Sequence, residues 1–199
     1  MGVYVSMDNT KMGEGVASVS LPVYKTCDPN APCYKDCYAG AMCKRRTNIG
    51  ASWANNLLAI ERYGLERLVE EVSADIRSRG IDRFRWFVGG DIPSPEFLDA
   101  MIAIADECPG TQFLAFTKRY AWVEECGSIP DNLHIILSVW KAFGPSESAR
   151  AGFPLAFYDD GTPECGVPEG AMECTGECEP CGYRCFGAQQ GFRVVFHRH

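Results

Sequence analysis

Residues 83–118 read RFRWFVGGDIPSPEFLDAMIAIADECPGTQFLAFTK, and this stretch decides the fold. Arg83 to Val88 is a short run of aromatic and branched residues, predicted as a buried strand that ends in Gly89-Gly90-Asp91. Ser94 then offers a helix cap, with Pro95 at the first helical position and Glu96 in the first turn. Apolar residues recur at helical spacing as far as Cys108. Thr111 to Thr117 is a second predicted strand, followed at once by Lys118. Strand, helix and strand joined by short connections imply a right-handed crossover between parallel neighbours.

The pattern extends in both directions. Downstream, a short helix is predicted around Tyr120 to Cys126, a third strand over Leu133 to Val139 and a fourth over Phe153 to Tyr158. Upstream, Val16 to Tyr24 suggests one strand that Pro22 either ends early or confines to a sheet edge. Between them Trp53, Leu57, Ile60, Leu65, Leu68, Val69, Val72 and Ile76 mark a long helix. Asn48 or Ser52 could cap it, Gly64 would kink it and Gly80 would end it. The expected fold is α/β, with a mostly parallel sheet resembling a partial (β/α) barrel and a cysteine-rich C-terminal metal-binding tail. Residues 1–199 are read as a single α/β domain, with 165–199 as an extension packed on it. In such sheets chemistry collects at the C-terminal ends of the strands. Strand direction therefore brings Gly89, Gly90, Asp91, Thr117, Lys118 and the region after Val139 to one edge, and predicts that both cysteine groups open there too.

The 199 residues carry 46% hydrophobic and 23% charged residues, an ordinary globular balance. A net charge of −7 argues against binding to a nucleic-acid backbone. Lys44-Arg45-Arg46 is the one dense basic run, read as a solvated loop or as a neighbour of a negatively charged cluster or substrate. No stretch approaches the length of a membrane span, and residues 1–11 lack the pattern of a secretory signal. The expected location is the cytoplasm. There the 11 cysteines meet reducing conditions, which favours metal ligation over a disulfide framework.

Seven thiols fall into two tight groups. Cys174, Cys178, Cys181 and Cys185 form C-x3-C-x2-C-x3-C within 12 residues, with Gly176, Pro180 and Gly182 permitting tight turns. Four ligands suit a 4Fe–4S cluster or structural zinc, and so compact a run resembles ferredoxin-type ligation more than a zinc ribbon. Cys27, Cys33 and Cys37 form the other group, with Cys43 a distant fourth. Three ligands would leave one metal position open; the alternatives are completion by Cys43 or a tail cysteine, or plain buried thiols. One or two clusters are expected. Gly89-Gly90-Asp91 is either a local turn or a backbone edge plus carboxylate that grips an amine. Lys118 is either a strand-end functional group or a solvated helix start. His134 reads as a satisfied core residue, and Trp86, Trp122 and Trp140 as core packing. Metal binding by His197 or His199 is a minor expectation at a fraying end. Cys108, Cys126 and Cys165 receive no role.

Several motifs together resemble the phage and prophage family called gene product eighty-eight. They are C-x5-C-x3-C-Y-A at Cys27 to Ala39, Gly90-Asp91 after a strand, Phe116-Thr117-Lys118, the cysteine tail and a closing V-V-F-H-R-H. The resemblance implies a phage-type origin, with the cytoplasm of a host cell as the setting. Cys33-x3-Cys37-Tyr38 followed by Gly89-Gly90-Asp91 is also similar, more loosely, to radical S-adenosylmethionine enzymes. That likeness implies bound S-adenosylmethionine. The chain departs from it where Gly40 stands for a cysteine and Asp91 for a glutamate. The expected function is a 4Fe–4S protein with a redox or cluster-carrier role. The alternatives are a radical S-adenosylmethionine-like enzyme with an open iron, or a structural zinc protein. The partner, a protein or a small molecule, is left unspecified by the sequence.

Overall fold

A computed structural model describes residues 2–7, 9–162 and 166–197. Cys165 and His199 lie outside the described residues. In chain order the strands are β1 (Ser6–Met7), β2 (Val16–Val19), β3 (Arg83–Trp86), β4 (Gln112–Thr117), β5 (Leu133–Val139), β6 (Leu155–Asp159), β7 (Met172–Glu173) and β8 (Arg193–His197). The helices are α1 (Tyr38–Arg45), α2 (Thr47–Tyr63), α3 (Leu65–Arg79), α4 (Pro95–Glu107), α5 (Tyr120–Glu125) and α6 (Glu147–Gly152). The strands form one sheet in the order β1-β2-β3-β4-β5-β6-β8-β7. Every pairing is parallel except β1 with β2.

Local chemistry explains the boundaries. The Ser94 hydroxyl accepts from the Phe97 amide at 3.3 Å and starts α4. Gly80 takes a left-handed conformation at φ 61°, which lets its amide and that of Ile81 reach back to the end of α3. Gly64, at φ 86°, breaks the predicted long helix into α2 and α3 rather than kinking it. Pro22 follows a strand that ends at Val19; β2 lies inside the sheet, between β1 and β3. α1, α6 and the two-residue strands are too short to leave a periodic signal.

The strand β3 is not buried on both sides as its composition suggests. Phe84 and Trp86 are fully buried, while Arg83 and Arg85 alternate with them on the other face. Phe84, Trp86, Phe87, Phe97 and Phe113 form an aromatic cluster with centroids 4.8–6.0 Å apart. Leu68, Val72 and Ile76 of α3 join this core, as do Met101 and Ile104 of α4 and Val123 of α5. The helices therefore cover one face of the sheet.

The second face has a different cover, and handedness says why. From β2 to β6 the chain steps across the sheet in one direction, so right-handed crossovers put each connection on the helical face. From β7 to β8 it steps back. A right-handed connection then has to cross the opposite face. There Tyr183, Cys185, Phe186 and Ala188 pack on Leu114, Ile136, Val194 and Met12. The cysteine loop is the crossover of a reversed step.

His134 points to this second face and is 6% exposed. Its Nδ1 donates to the Ala188 carbonyl at 3.0 Å, and Nε2 lies 2.8 Å from the Gln112 side-chain amide. Burial pulls its pKa below the usual value and outweighs the opposing pull of the Ala188 carbonyl and Asp131. The core reading of His134 agrees with this placement.

Two outcomes are expected. Phe84→Ala should cost about 3–5 kcal/mol in urea unfolding, because it opens a cavity at the centre of the aromatic cluster. Since the fold prefers neutral His134, the unfolded chain binds the extra proton. Stability should fall as pH drops below about 6.5, by at most about 1.4 kcal/mol per unit. His134→Gln should flatten that slope.

Candidate functional site

The C-terminal ends of β2, β3 and β4 are tied together by one carboxylate. Leu21 continues past β2 and donates to the Gly89 carbonyl at 3.1 Å, while the Val88 amide donates to the Ser20 hydroxyl at 3.0 Å. Phe87 holds a left-handed φ of 59° to turn the chain here. Gly90 (φ 88°) admits no side chain, because a Cβ would stand 2.8 Å from the Leu21 carbonyl oxygen and the Thr26 hydroxyl. At Gly89 a Cβ would stand 2.0 Å from the Trp53 ring. These two glycines let the loop after β3 press against its neighbours and deliver Asp91 inward.

Asp91 is fully buried. Its Oδ1 accepts from the Thr117 hydroxyl at 2.6 Å and the Ile92 amide at 2.8 Å. Its Oδ2 accepts from the Lys118 amide at 3.1 Å, and the Lys118 ammonium stands 3.9 Å away. The Asp91 amide donates to Thr26 at 3.2 Å. The carboxylate is thus occupied by its own fold, locally through Ile92 and at long range through Thr117 and Lys118.

Lys118 is not a solvated helix start. Its side chain is 17% exposed and its head lies 5.9 Å from the centroid of the Trp140 ring. Burial pulls its pKa down, yet Asp91 and the Cys33 and Cys27 thiols together hold it above the ordinary value. Trp140 sits at this edge, against Phe143 and Tyr158, rather than in the core. Arg119 straps the site from outside, donating to the Thr26 carbonyl at 2.9 Å and the Ile92 carbonyl at 3.2 Å.

Cys27 and Cys33 lie near enough to Lys118 to feel its charge, and Cys37 lies near both thiols. Burial pushes the Cys27 and Cys33 thiols up; Lys118 pulls both down, and Cys37 pushes both up. Cys37 precedes α1, and Cys43, six residues on within that helix, is pushed up by burial and then by Cys37. Gly40 lies under Tyr24, whose hydroxyl would be 2.3 Å from a Cβ there. A cysteine at position 40 would displace that ring.

The tail group lies on the second face. The Cys174 amide donates to the Val195 carbonyl at 2.9 Å, anchoring the loop to β8, and the Cys178 amide donates to the Lys11 carbonyl at 2.9 Å. Tyr183 (φ 56°) turns the chain between Cys181 and Cys185 and stacks under the Arg83 guanidinium, 4.2 Å from its ring centroid. The Gly176 amide approaches the Cys174 sulfur at 3.4 Å. Cys185 is pushed up to about 12, first by burial and then by Cys174, Cys178 and Cys181, while Arg85 pulls it down. Burial also raises Cys178, again against Arg85.

The two thiol groups do not share an edge. In the first, Cys27 and Cys33 lie by Lys118 and Asp91 at the strand ends; in the second, Cys174 and Cys185 pack on the second-face core, with Arg85 near Cys178 and Cys185. The expectation of a common opening followed strand direction but not the reversed step at β8. Ten described cysteines are free thiols. Among the described residues no three ligating side chains converge tightly enough for a metal ion as they stand. Binding would have to draw the sulfurs inward. His197 instead pairs with Asp159, 2.9 Å from its carboxylate.

Arg85 and Thr26 did not stand out in the sequence, and Thr117 and Arg119 did so only as neighbours of Lys118. Alternation within R-F-R-W carried the one readable signal, since it sets Arg85 opposite Phe84 and Trp86. Asp91→Asn should cost about 3 kcal/mol in stability, because it leaves Lys118 half-buried without a counter-charge. Adding Lys118→Met should recover about 1 kcal/mol or more; strict additivity in a double-mutant cycle would refute the coupling.

Comparison with curated proteins gives no match, and comparison with solved structures gives none. No helix among the described residues is long and apolar enough to cross a membrane. The family model described as Gene product 88 matches residues 4–152. The matched span holds Cys27, Cys33, Cys37, Asp91 and Lys118, and it stops before β6 and the tail thiols. It lends nothing to the likeness with radical S-adenosylmethionine enzymes. With three quarters of its length covered, the chain belongs to the Gene product 88 family.

Proposed function

We propose that this is a metal–thiolate protein whose 174–185 loop holds a 4Fe–4S cluster, in a redox or cluster-carrier role. One observation carries the reading: four cysteines fall within one 12-residue loop whose ends, Cys174 and Cys185, both pack on the second-face core. Four soft donors in one loop fit such a group in number and in chemistry, and the Gly176 amide at the Cys174 sulfur is the kind of donor that supports a thiolate. A bound cluster would supply one-electron redox chemistry; the protein's part is to gather the thiols and shield them. The setting would be a reducing cytoplasm, that of the host if the chain is phage-encoded. We also read the sheet as an opened part of a (β/α) barrel, a reading supported by helices on one face and an edge site at the strand ends.

A structural zinc ion is the second reading. It is favoured by the packing of Cys174 and Cys185 beside the second-face core, where a staple would hold the loop down. The edge group could hold a further metal through Cys27, Cys33 and Cys37, with Lys118 alongside. An S-adenosylmethionine amine at that edge would compete with Thr117, Ile92 and Lys118 for Asp91, so the proposal does not extend to it.

Anaerobic purification followed by iron, sulfide and zinc analysis tests the proposal. About four irons and four sulfides per cluster, with brown colour lost in Cys178→Ser, are expected. A colourless protein with one zinc would support the staple instead. A protein that binds neither under reconstitution would sink both.

A further inference from the structure

We infer that Arg85 is the counter-ion of an anionic metal–thiolate centre in the 174–185 loop, and that its charge tunes how negative that centre becomes. The inference rests on the metal-binding reading above and specifies its electrostatics.

Arg85 reaches the second face because β3 alternates. Its guanidinium lies over the Phe116 ring, 5.2 Å from the centroid, and Phe116 in turn meets Phe196 of β8 edge-on at 5.5 Å. Aromatic rings thus hold the head in place. Its Nε is buried and has no hydrogen-bond partner among the described residues. No described carboxylate pairs with it, and the Phe116 ring beneath it belongs to the same packed cluster as Cys174 and Cys185. Arg83, two residues earlier on the same face, is stacked on Tyr183 and fastens the loop there.

A half-buried guanidinium with an orphaned donor is costly beside neutral thiols. Four free thiols leave it uncompensated, and so do two disulfides. Four thiolates around a divalent ion, or around a 4Fe–4S cluster, form a complex with net negative charge. That charge and those sulfur acceptors are what Arg85 lacks. The ligand class is therefore a metal or cluster whose tetrathiolate complex is anionic. Because an added electron makes a cluster more negative, the neighbouring cation favours the reduced form.

The test compares wild type, Arg85→Gln and Arg85→Lys after anaerobic reconstitution, with circular dichroism to confirm folding and metal counted per chain. For an iron–sulfur centre, Arg85→Gln should shift the oxidised-to-reduced equilibrium about tenfold towards the oxidised form. That is a midpoint potential lower by about 59 mV for one electron. Arg85→Lys should recover most of the shift. For zinc, chelator competition should show about tenfold weaker binding in Arg85→Gln and recovery in Arg85→Lys. A loaded, folded Arg85→Gln protein with unchanged potential and affinity overturns the inference and leaves metal binding standing. Equal losses in Arg85→Gln and Arg85→Lys would make Arg85 a packing residue and also overturn it. A wild type that loads no metal removes the parent reading, and this one with it.

Discussion

A carboxylate with no access to water cannot remain unpaired, and burying Asp91 imposes that constraint on the whole upper edge of the sheet. Its oxygens need donors, which are Ile92 beside it and, from β4 and the residue after it, Thr117 and Lys118. Its amide needs an acceptor, which is Thr26 in the loop that carries Cys27. Three strands are thereby locked in relative height, with Gly89 and Gly90 supplying the close approach. The thiols of the first group owe their position to this lock. Loosening it would move them before it moved the core.

Much of the fold was legible because it obeys local rules. Ser94 with Pro95 announced α4, and the runs at 83–88, 111–117 and 133–139 announced the central strands. What escaped was decided by partners distant in sequence. β8 pairs with both β6 and β7, and no local pattern shows that the chain turns back there. That reversal separated the thiol groups, which forward strand counting had placed together. At the site, the residue types were legible and their roles were not. Asp91 stood out as a strand-end carboxylate, but only the Thr117 hydroxyl and the Lys118 amide show that its bonding is internal. Arg85 was hidden inside an apparently buried strand.

Each thiol group has one basic residue drawn in from the sheet, Lys118 for the first and Arg85 for the second. In a chain of net charge −7 this is local placement, not bulk composition. The pairing differs in kind. Lys118 already has Asp91 beside it, whereas Arg85 lies over an aromatic ring with its Nε unpaired among the described residues.

The loop between Cys174 and Phe192 is held at both ends, by β7 and by β8. Its closure entropy is met by strand pairing, so the four sulfurs would reach an incoming ion as one multidentate chelator rather than as four independent ligands. Linkage makes that advantage mutual: whatever the ion gains from the pairing of β7 with β8, the pairing gains from the ion. Ion removal would then first be felt as fraying of β7 and β8, far from the helical core.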